Sequence, residues 1–470
     1  MDPHPPHRVH WREALGVWIR IAALSFGGPA GQIAVVHRIL VEEKRWVPES
    51  RFLHAMNYCM LLPGPEAQQL VTYMGWLLQG RIGGLIAGSL FIVPGLLSIF
   101  ALSVLYVGFQ DLAIVTALFF GLKPAVIAII VQAVVRIGKR VLKDRGAVAI
   151  AACAFAAMFV FGVAFPYIVI CAAAAGLWIG RSRRRDGDRK HSSGRGAATG
   201  DGDGDHATGE NTVQTPAILY SLESSQPPTV ARTVRTVGFW LAVWIAPALL
   251  VVATLGPDHV LVTQAIFFSK TAMLTFGGAY SVLAYIAEQA VENLGWLTAP
   301  EMLDGLGLAE TTPGPLIQVV QFVGFLGAFR NAAPFADPYI AATLGSLMTV
   351  WVTFAPCFLW IFAGAPYMEA LRKNEAARDM LAGVTAAVTG VILNLALWFA
   401  IHTLFSESAI LEYGIVRMDW PVFASVQWIG VALAGLAFAL LFAARLGLFT
   451  TLSITTAAGM LSYLYFATGA

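Results

Sequence analysis

The sequence predicts an all-α polytopic membrane protein of about thirteen transmembrane helices, in two inverted-topology repeats broken at Pro-Gly-Pro motifs. Three observations lead there. Apolar residues make up 57% of the chain and charged residues 12%, about half the roughly 25% usual in soluble domains. Long apolar runs recur along the whole length, as a bilayer demands. Residues 20–68 recur as 270–318 without a gap, and 14 of the 49 paired positions are identical. Phe26-Gly27-Gly28 matches Phe276-Gly277-Gly278, Trp46 matches Trp296, and Pro63-Gly64-Pro65 matches Pro313-Gly314-Pro315. Glycine pairs and prolines weaken helices. Their duplication in register, within two hydrophobic segments, is the pattern that marks a secondary transporter's binding site.

In chain order, apolar runs place spans near 14–37, 53–78, 83–109 and 112–135. The run 147–179 is too long for one span and divides at Gly162 and Pro166. Further spans fall near 237–256, 264–288, 303–328, 338–364, 380–404, 421–443 and 446–467. Residues 1–180 form one transporter repeat, 181–235 a flexible cytoplasmic linker and 236–470 the second repeat. The linker is basic at first, then carries a Gly/Asp run at 200–205, and lacks apolar content to fold around. The run lacks the terminal Glu of a calcium loop, so no metal site is expected. The first residues, rich in His and Pro, do not resemble a removable signal peptide. Cys59, Cys153, Cys171 and Cys357 lack CxxC spacing and read as isolated buried thiols. The net charge of +2 gives no reason to expect nucleic acid.

Basic groups orient the chain. Arg136, Lys139, Arg140, Lys143 and Arg145, then Arg181 to Arg185, then Arg372, Lys373 and Arg378 share one side if 147–179 crosses twice. The N-terminus is then cytoplasmic and the C-terminus periplasmic, and the two copies of the motif start from opposite faces. The basic loop 38–51 argues mildly against this.

Candidate site residues follow from the breaks. Each Pro-Gly-Pro interrupts its span, and a helix restarting after Pro65 or Pro315 would aim free N–H groups inward, which suits an anion. The alternative is a plain proline kink. Gly27, Gly28, Gly277 and Gly278 admit close approach of a ligand, or of another helix. Ionisable groups at depth usually mark a pathway. Lys123 has no acid nearby in sequence and joins the candidate anion site. Glu66 follows the first Pro-Gly-Pro, and Glu310 precedes Pro313 by three residues; both suit proton coupling. Arg20 and Lys270 hold equivalent places before the glycine pairs, where snorkelling is the alternative. Asn57, Gln68 and Gln318 could line a polar pathway, as could Gln321 and Asn394. His54 and Asp304 fall near span ends, where solvation suffices.

Taken together, Ser25-Phe-Gly-Gly-Pro29, Arg45-Trp46, Leu62-Pro-Gly-Pro-Glu66, Gly121-Leu-Lys-Pro-Ala-Val126 and Thr312-Pro-Gly-Pro315 resemble the chromate ion transporter family. The resemblance covers nearly all of the chain outside the linker and is to the long, two-domain type. It implies a bacterial inner-membrane protein that exports chromate on the proton-motive force and confers chromate resistance. It also implies about thirteen spans and antiparallel halves, without a cofactor. Sulfate, a tetrahedral dianion of nearly the same size, is the alternative substrate, and a homodimer is among the assemblies open to it. A membrane-bound reductase is disfavoured, because the chain has neither a GxGxxG fingerprint nor CxxC.

Overall fold

The computed structural model describes residues 9–26, 28–110, 112–193, 229–276, 279–367, 374–414 and 416–467. In chain order the first half holds α1 (Trp11–Leu24), α2 (Gly28–His37), α3 (Glu49–Cys59), α4 (Glu66–Phe109), α5 (Ala113–Val141), α6 (Arg145–Phe159) and α7 (Phe165–Ser193). Next comes α8 (Val230–Leu255), then α9 (Val260–Leu274), α10 (Ala279–Glu288), α11 (Ala299–Thr311), α12 (Val319–Arg330), α13 (Pro338–Gly364) and α14 (Glu375–Leu404). A hairpin of β1 (Ser408–Tyr413) and β2 (Val416–Pro421) precedes α15 (Trp428–Phe438) and α16 (Leu448–Ala467). Among the described residues six helices are long and apolar enough to cross a membrane, and shorter apolar helices accompany them. The chain is an all-α multi-pass membrane protein with one small hairpin.

Two expected spans are each broken in two. The runs 14–37 and 264–288 become α1/α2 and α9/α10, separated at Ser25-Phe26 and Thr275-Phe276. The expected span 421–443 begins late, because 408–421 pair as antiparallel strands turning at Gly414 (φ +62°). Arg417 N donates to Val160 O (2.9 Å), which ties the hairpin to the end of α6. Residues 181–193, expected in the linker, continue α7. Arg184 explains the extension: it pairs with Glu375 (2.9 Å) and Asp379 of α14. Residues 194–228 lie outside the described residues.

α4 is a hairpin of two helices rather than one rod. Gln79 (φ −139°) and Gly80 (φ +70°) break it, and a Cβ on Gly88 would lie 3.1 Å from Gln68 Nε2. Twenty residues of straight helix would separate those positions by about 30 Å. Gly75, Gly83, Gly84 and Gly88 bring the two limbs together: a Cβ on Gly84 would sit 2.9 Å from Thr72 O.

The halves share the larger of two buried cores; the other is built almost wholly from the first half. α5 crosses α16, where a Cβ on Gly121 would stand 2.7 Å from Thr456 O, and Gly459 packs on Gly121. α7 crosses α14, where a Cβ on Gly176 would stand 2.9 Å from Gly383 Cα. Without a hydrophobic driving force between helices in lipid, close backbone approach at small residues supplies the packing. Each half therefore contributes its last helix to the long helix of the other. Leu122 and Val126 accordingly belong to the same buried cluster as Leu306, Phe322 and Val391.

The ends of α2, α10 and α15 repeat one device. Each finishes in a π-turn, at Arg38–Glu43, Gln289–Asn293 and Ala439–Ala443. Each is followed by a left-handed residue: Arg45 (φ +53°), Gly295 (φ +59°) and Arg445 (φ +53°). Matching backbone bonds close all three turns: Trp46 N to Leu40 O (2.9 Å), Trp296 N to Ala290 O (2.8 Å) and Leu446 N to Leu440 O (2.9 Å).

Candidate functional site

The helix breaks of the two copies meet each other across the molecule. Gly64 N donates to Thr275 O (2.7 Å), and Gly314 N donates to Ser25 O (2.9 Å). In the repeat alignment Gly64 corresponds to Gly314 and Ser25 to Thr275, so each Pro-Gly-Pro binds the carbonyl that ends the other copy's first helix. The local geometry matches on both sides. Ser25 (φ −83°, ψ 88°) and Thr275 (φ −78°, ψ 93°) stop α1 and α9 with nearly the same dihedrals. Their hydroxyls donate back to Ile21 O (2.6 Å) and Thr271 O (2.8 Å), satisfying helix-end carbonyls. Gly64 (φ +118°) and Gly314 (φ +110°) hold backbone angles that favour glycine.

Each motif also seats against a helix that carries an internal proline. A Cβ on Gly314 would be 2.9 Å from Gly95 Cα, and one on Gly64 would be 2.9 Å from Cys357 Sγ. Pro94 and Pro356 precede these contacts inside α4 and α13.

Side chains complete the second crossing. Gln32 Nε2 donates to Gly314 O (2.7 Å). A Cβ on Gly28 would lie 3.6 Å from the Tyr280 hydroxyl, which in turn donates to Glu310 Oε1. Glu310 is 2% exposed, and its Oε2 has no protein partner among the described residues. At the first crossing, Gln69 Nε2 donates to Pro63 O (2.7 Å), and Glu66 is buried in the next helical turn. No side chain caps the helix after Pro65 or the 3-10 turn after Pro315. By contrast α6, α11, α13 and α14 are all capped by side chains. α3, α5, α8 and α15 also lack a side-chain cap. What sets the starts after Pro65 and Pro315 apart is that buried residues surround them, and free N–H groups there are of the kind that can receive an anion. The N–H groups of Gly64 and Gly314 do not belong to that set, because the crossings use them.

Lys123 meets an acid that is remote in sequence. Its Nζ lies 3.3 Å from Asp304 Oδ1, while Tyr106 donates to Asp304 Oδ2 (2.9 Å). Asp304 is 4% exposed, so the expectation of a solvated span end fails for it. Gly307 explains the approach: Leu122 of α5 packs on the bare backbone there, which lets α5 lie close to α11.

Gly28, Pro63, Gly64, Pro65, Glu66, Gln68, Glu310, Pro313, Gly314, Pro315 and Gln318 sit on or beside the two crossings. Gln68 and Gln318, equivalent in the repeat, are both buried, with amide nitrogens donating to Thr72 Oγ1 and Gln321 Oε1 (3.0 Å each). Gly27, Gly277 and Gly278 lie outside the described residues. The structure does not bring Arg20 to the crossings: it pairs with Glu43 (2.6 Å), with its side chain 48% exposed. Lys270 and Asn57 are exposed on the outer faces of α9 and α3. Of the thiols, Cys59 and Cys357 are buried as expected, whereas Cys153 and Cys171 face outward.

The residue-level reading missed Gln32, Tyr280 and the Pro94–Pro356 pair. The prolines carried a faint signal: they repeat at a spacing of 262 where the motifs repeat at 250, so a gapless comparison passes over them.

Comparisons with known proteins agree with this architecture. The family model for the chromate transporter matches residues 12–177 and 262–463, taking in both crossings and omitting α8. A chromate transport protein of Pseudomonas aeruginosa is 33% identical over 397 residues, covering 82% of this chain and 80% of its own. A probable chromate transport protein of Synechococcus elongatus is 24% identical, covering 83% of this chain and 84% of its own. A chromate transport protein of Cupriavidus metallidurans is 25% identical, covering 81% of this chain and 80% of its own. No solved structure matches significantly. With the matched segments spanning most of its length and carrying both sets of broken helices, this chain belongs to the chromate transporter family.

Proposed function

We propose that this chain is a secondary carrier that exports chromate from the cytoplasm across the bacterial inner membrane and so confers chromate resistance. The observation that carries the proposal is the reciprocal pair of bonds from Gly64 N to Thr275 O and from Gly314 N to Ser25 O. A carrier built from two inverted repeats alternates by moving one helix bundle against another around a shared site. Equivalent contacts that cross between the copies are suited to exchange during such motion. The uncapped N-termini after Pro65 and Pro315 bind the oxyanion, and Glu66 and Glu310 carry protons in counter-transport. The N-terminus and the 181–235 linker are cytoplasmic in this reading, and the C-terminus is periplasmic.

The energetics favour this direction. A dianion leaving a negative interior gains about 4.6 kcal/mol per 100 mV, twice the value for one charge. Backbone donors read charge and tetrahedral geometry, which sulfate shares, so selectivity must be measured.

Chromate uptake into inverted vesicles, with and without a proton gradient and with excess sulfate, tests the proposal. Gradient-dependent uptake that sulfate barely reduces supports it. Uptake that sulfate abolishes makes sulfate the substrate. In the same vesicles Glu310→Gln should flatten the pH dependence of uptake, because the variant has no group to titrate there. An unaltered pH profile removes Glu310 from coupling.

A further inference from the structure

α8 has no counterpart in the repeat and lies outside the matched family segments. Between it and the second limb of α4 is a cavity of about 770 Å³. Arg81, Arg232 and Arg235 line its rim, with Phe239, Trp240 and Phe362 among the apolar residues below. No acidic side chain lines it, and among the described residues the three arginines have no ion-pair partner. Arg81 Nη2 donates only to Thr236 Oγ1 (3.3 Å).

The three arginines are exposed, and two features of local physics favour an anion among them. Arg232 falls in the first turn of α8 and Arg235 in the next, at the positive end of the helix dipole, and the first turn holds no acid. Arg81 opens the second limb of α4 immediately after the break at Gly80, so its charge adds to the same end. Arg232, Thr236 and Phe239 follow one another at helical spacing, so charge gives way to aromatic surface down a single face. Trp240 stacks on Phe358 (5.4 Å) and Phe362 (5.5 Å), which makes a rigid floor. The outer wall is open to the bilayer: Ile82 is 64% exposed and Phe239 59%.

We propose that this groove is a binding site for an anionic phospholipid. The phosphate sits among Arg81, Arg232 and Arg235, and the upper acyl carbons lie along Ile82, Leu85 and Phe239. Basic pockets between membrane helices recognise such headgroups, and a lipid here fills the gap between α8 and α4, while α8 is held to α13 by Trp244 Nε1 donating to Val352 O (3.1 Å) and Trp351 Nε1 to Val243 O (2.9 Å). The proposal does not depend on which anion the carrier moves.

Native mass spectrometry of the full chain in detergent tests it, with phosphatidylglycerol or phosphatidylcholine added. Phosphatidylglycerol adducts should dominate. The triple variant Arg81→Gln/Arg232→Gln/Arg235→Gln should lose them on the order of 100-fold in affinity. If the triple variant does not fold, Arg232→Glu, a change in the exposed first turn, should reduce the same adducts about tenfold. Equal binding of the two lipids, or undiminished binding by the variants, overturns the proposal. Displacement by millimolar inorganic phosphate would make this a free-anion site and would also overturn it. So would a dimer that excludes lipid from the groove.

Discussion

Lys123 and Asp304 show how a buried charge is held. Nζ and Oδ1 are 3.3 Å apart, and Tyr106 donates to the other carboxylate oxygen. Removing one partner of a buried pair strands the other at a cost of about 3–5 kcal/mol. Lys123→Ala should therefore lower thermal stability in detergent, and Lys123→Gln/Asp304→Asn should recover most of it. If the pair serves transport, the double variant stays inactive in vesicles although it is stable. Full activity would reduce the pair to a structural role. The two motif glycines offer a second comparison. A Cβ on Gly314 meets backbone, with Gly95 Cα at 2.9 Å and Gly95 N at 3.0 Å; one on Gly64 meets Gln69 Nε2 at 2.8 Å and Cys357 Sγ at 2.9 Å, both side-chain atoms. Side chains can move aside, whereas a helix backbone cannot. Both substitutions incur positive-φ strain of about 1–3 kcal/mol, and Gly314→Ala should be the more destabilising in a thermal-shift assay. Equal losses would mean that the crossing at Gly314 relaxes as easily as its counterpart.

At the scale of elements, the broken helices are made by proline as much as by glycine. Pro63 and Pro65 leave an N-terminus without a side-chain cap among buried residues, and Glu66 opens the helix that follows. Pro63→Ala/Pro65→Ala lets α3 run on towards α4, which would use the free N–H groups in helical bonds. Vesicle uptake should fall at least about tenfold, one binding contact's worth, while the protein still reaches the membrane. Full uptake would rule out the broken N-terminus as the anion's seat. The sequence made these breaks legible because proline and glycine act locally. It hid the breaks at Ser25-Phe26 and Thr275-Phe276, where long apolar runs read as continuous spans. It also hid all three π-turns, whose left-handed residues are Arg45, Gly295 and Arg445.

For the whole molecule, the interleaving of halves is the main consequence of the packing. α7 closes on α14 and α16 on α5 through paired glycines, so the larger core belongs to both halves, while a second core around Trp18, Phe52 and Leu70 is built almost wholly from the first. The segment 194–228 joins two helices whose ends are fixed by other contacts: Arg184 pairs with Glu375 and Asp379, and the Thr233 and Tyr367 hydroxyls lie 2.8 Å apart. Deleting residues 194–225 should leave expression and vesicle uptake close to those of the full chain. A large loss would give that segment a role beyond joining the halves.

The sequence by itself determined the membrane class, the duplicated breaks and the family. Composition, proline, glycine and motif spacing act within a few residues, and their effects do not wait for packing. Only the tertiary structure decided which carbonyl each Pro-Gly-Pro binds, that Lys123 meets Asp304, and that Gln32 and Tyr280 join the second crossing while Arg20 does not. Gln32 and Gly314 are 282 residues apart, and such partners are chosen by how helices cross. That choice depends on which small residues allow backbones to touch, and it is a property of the packed whole.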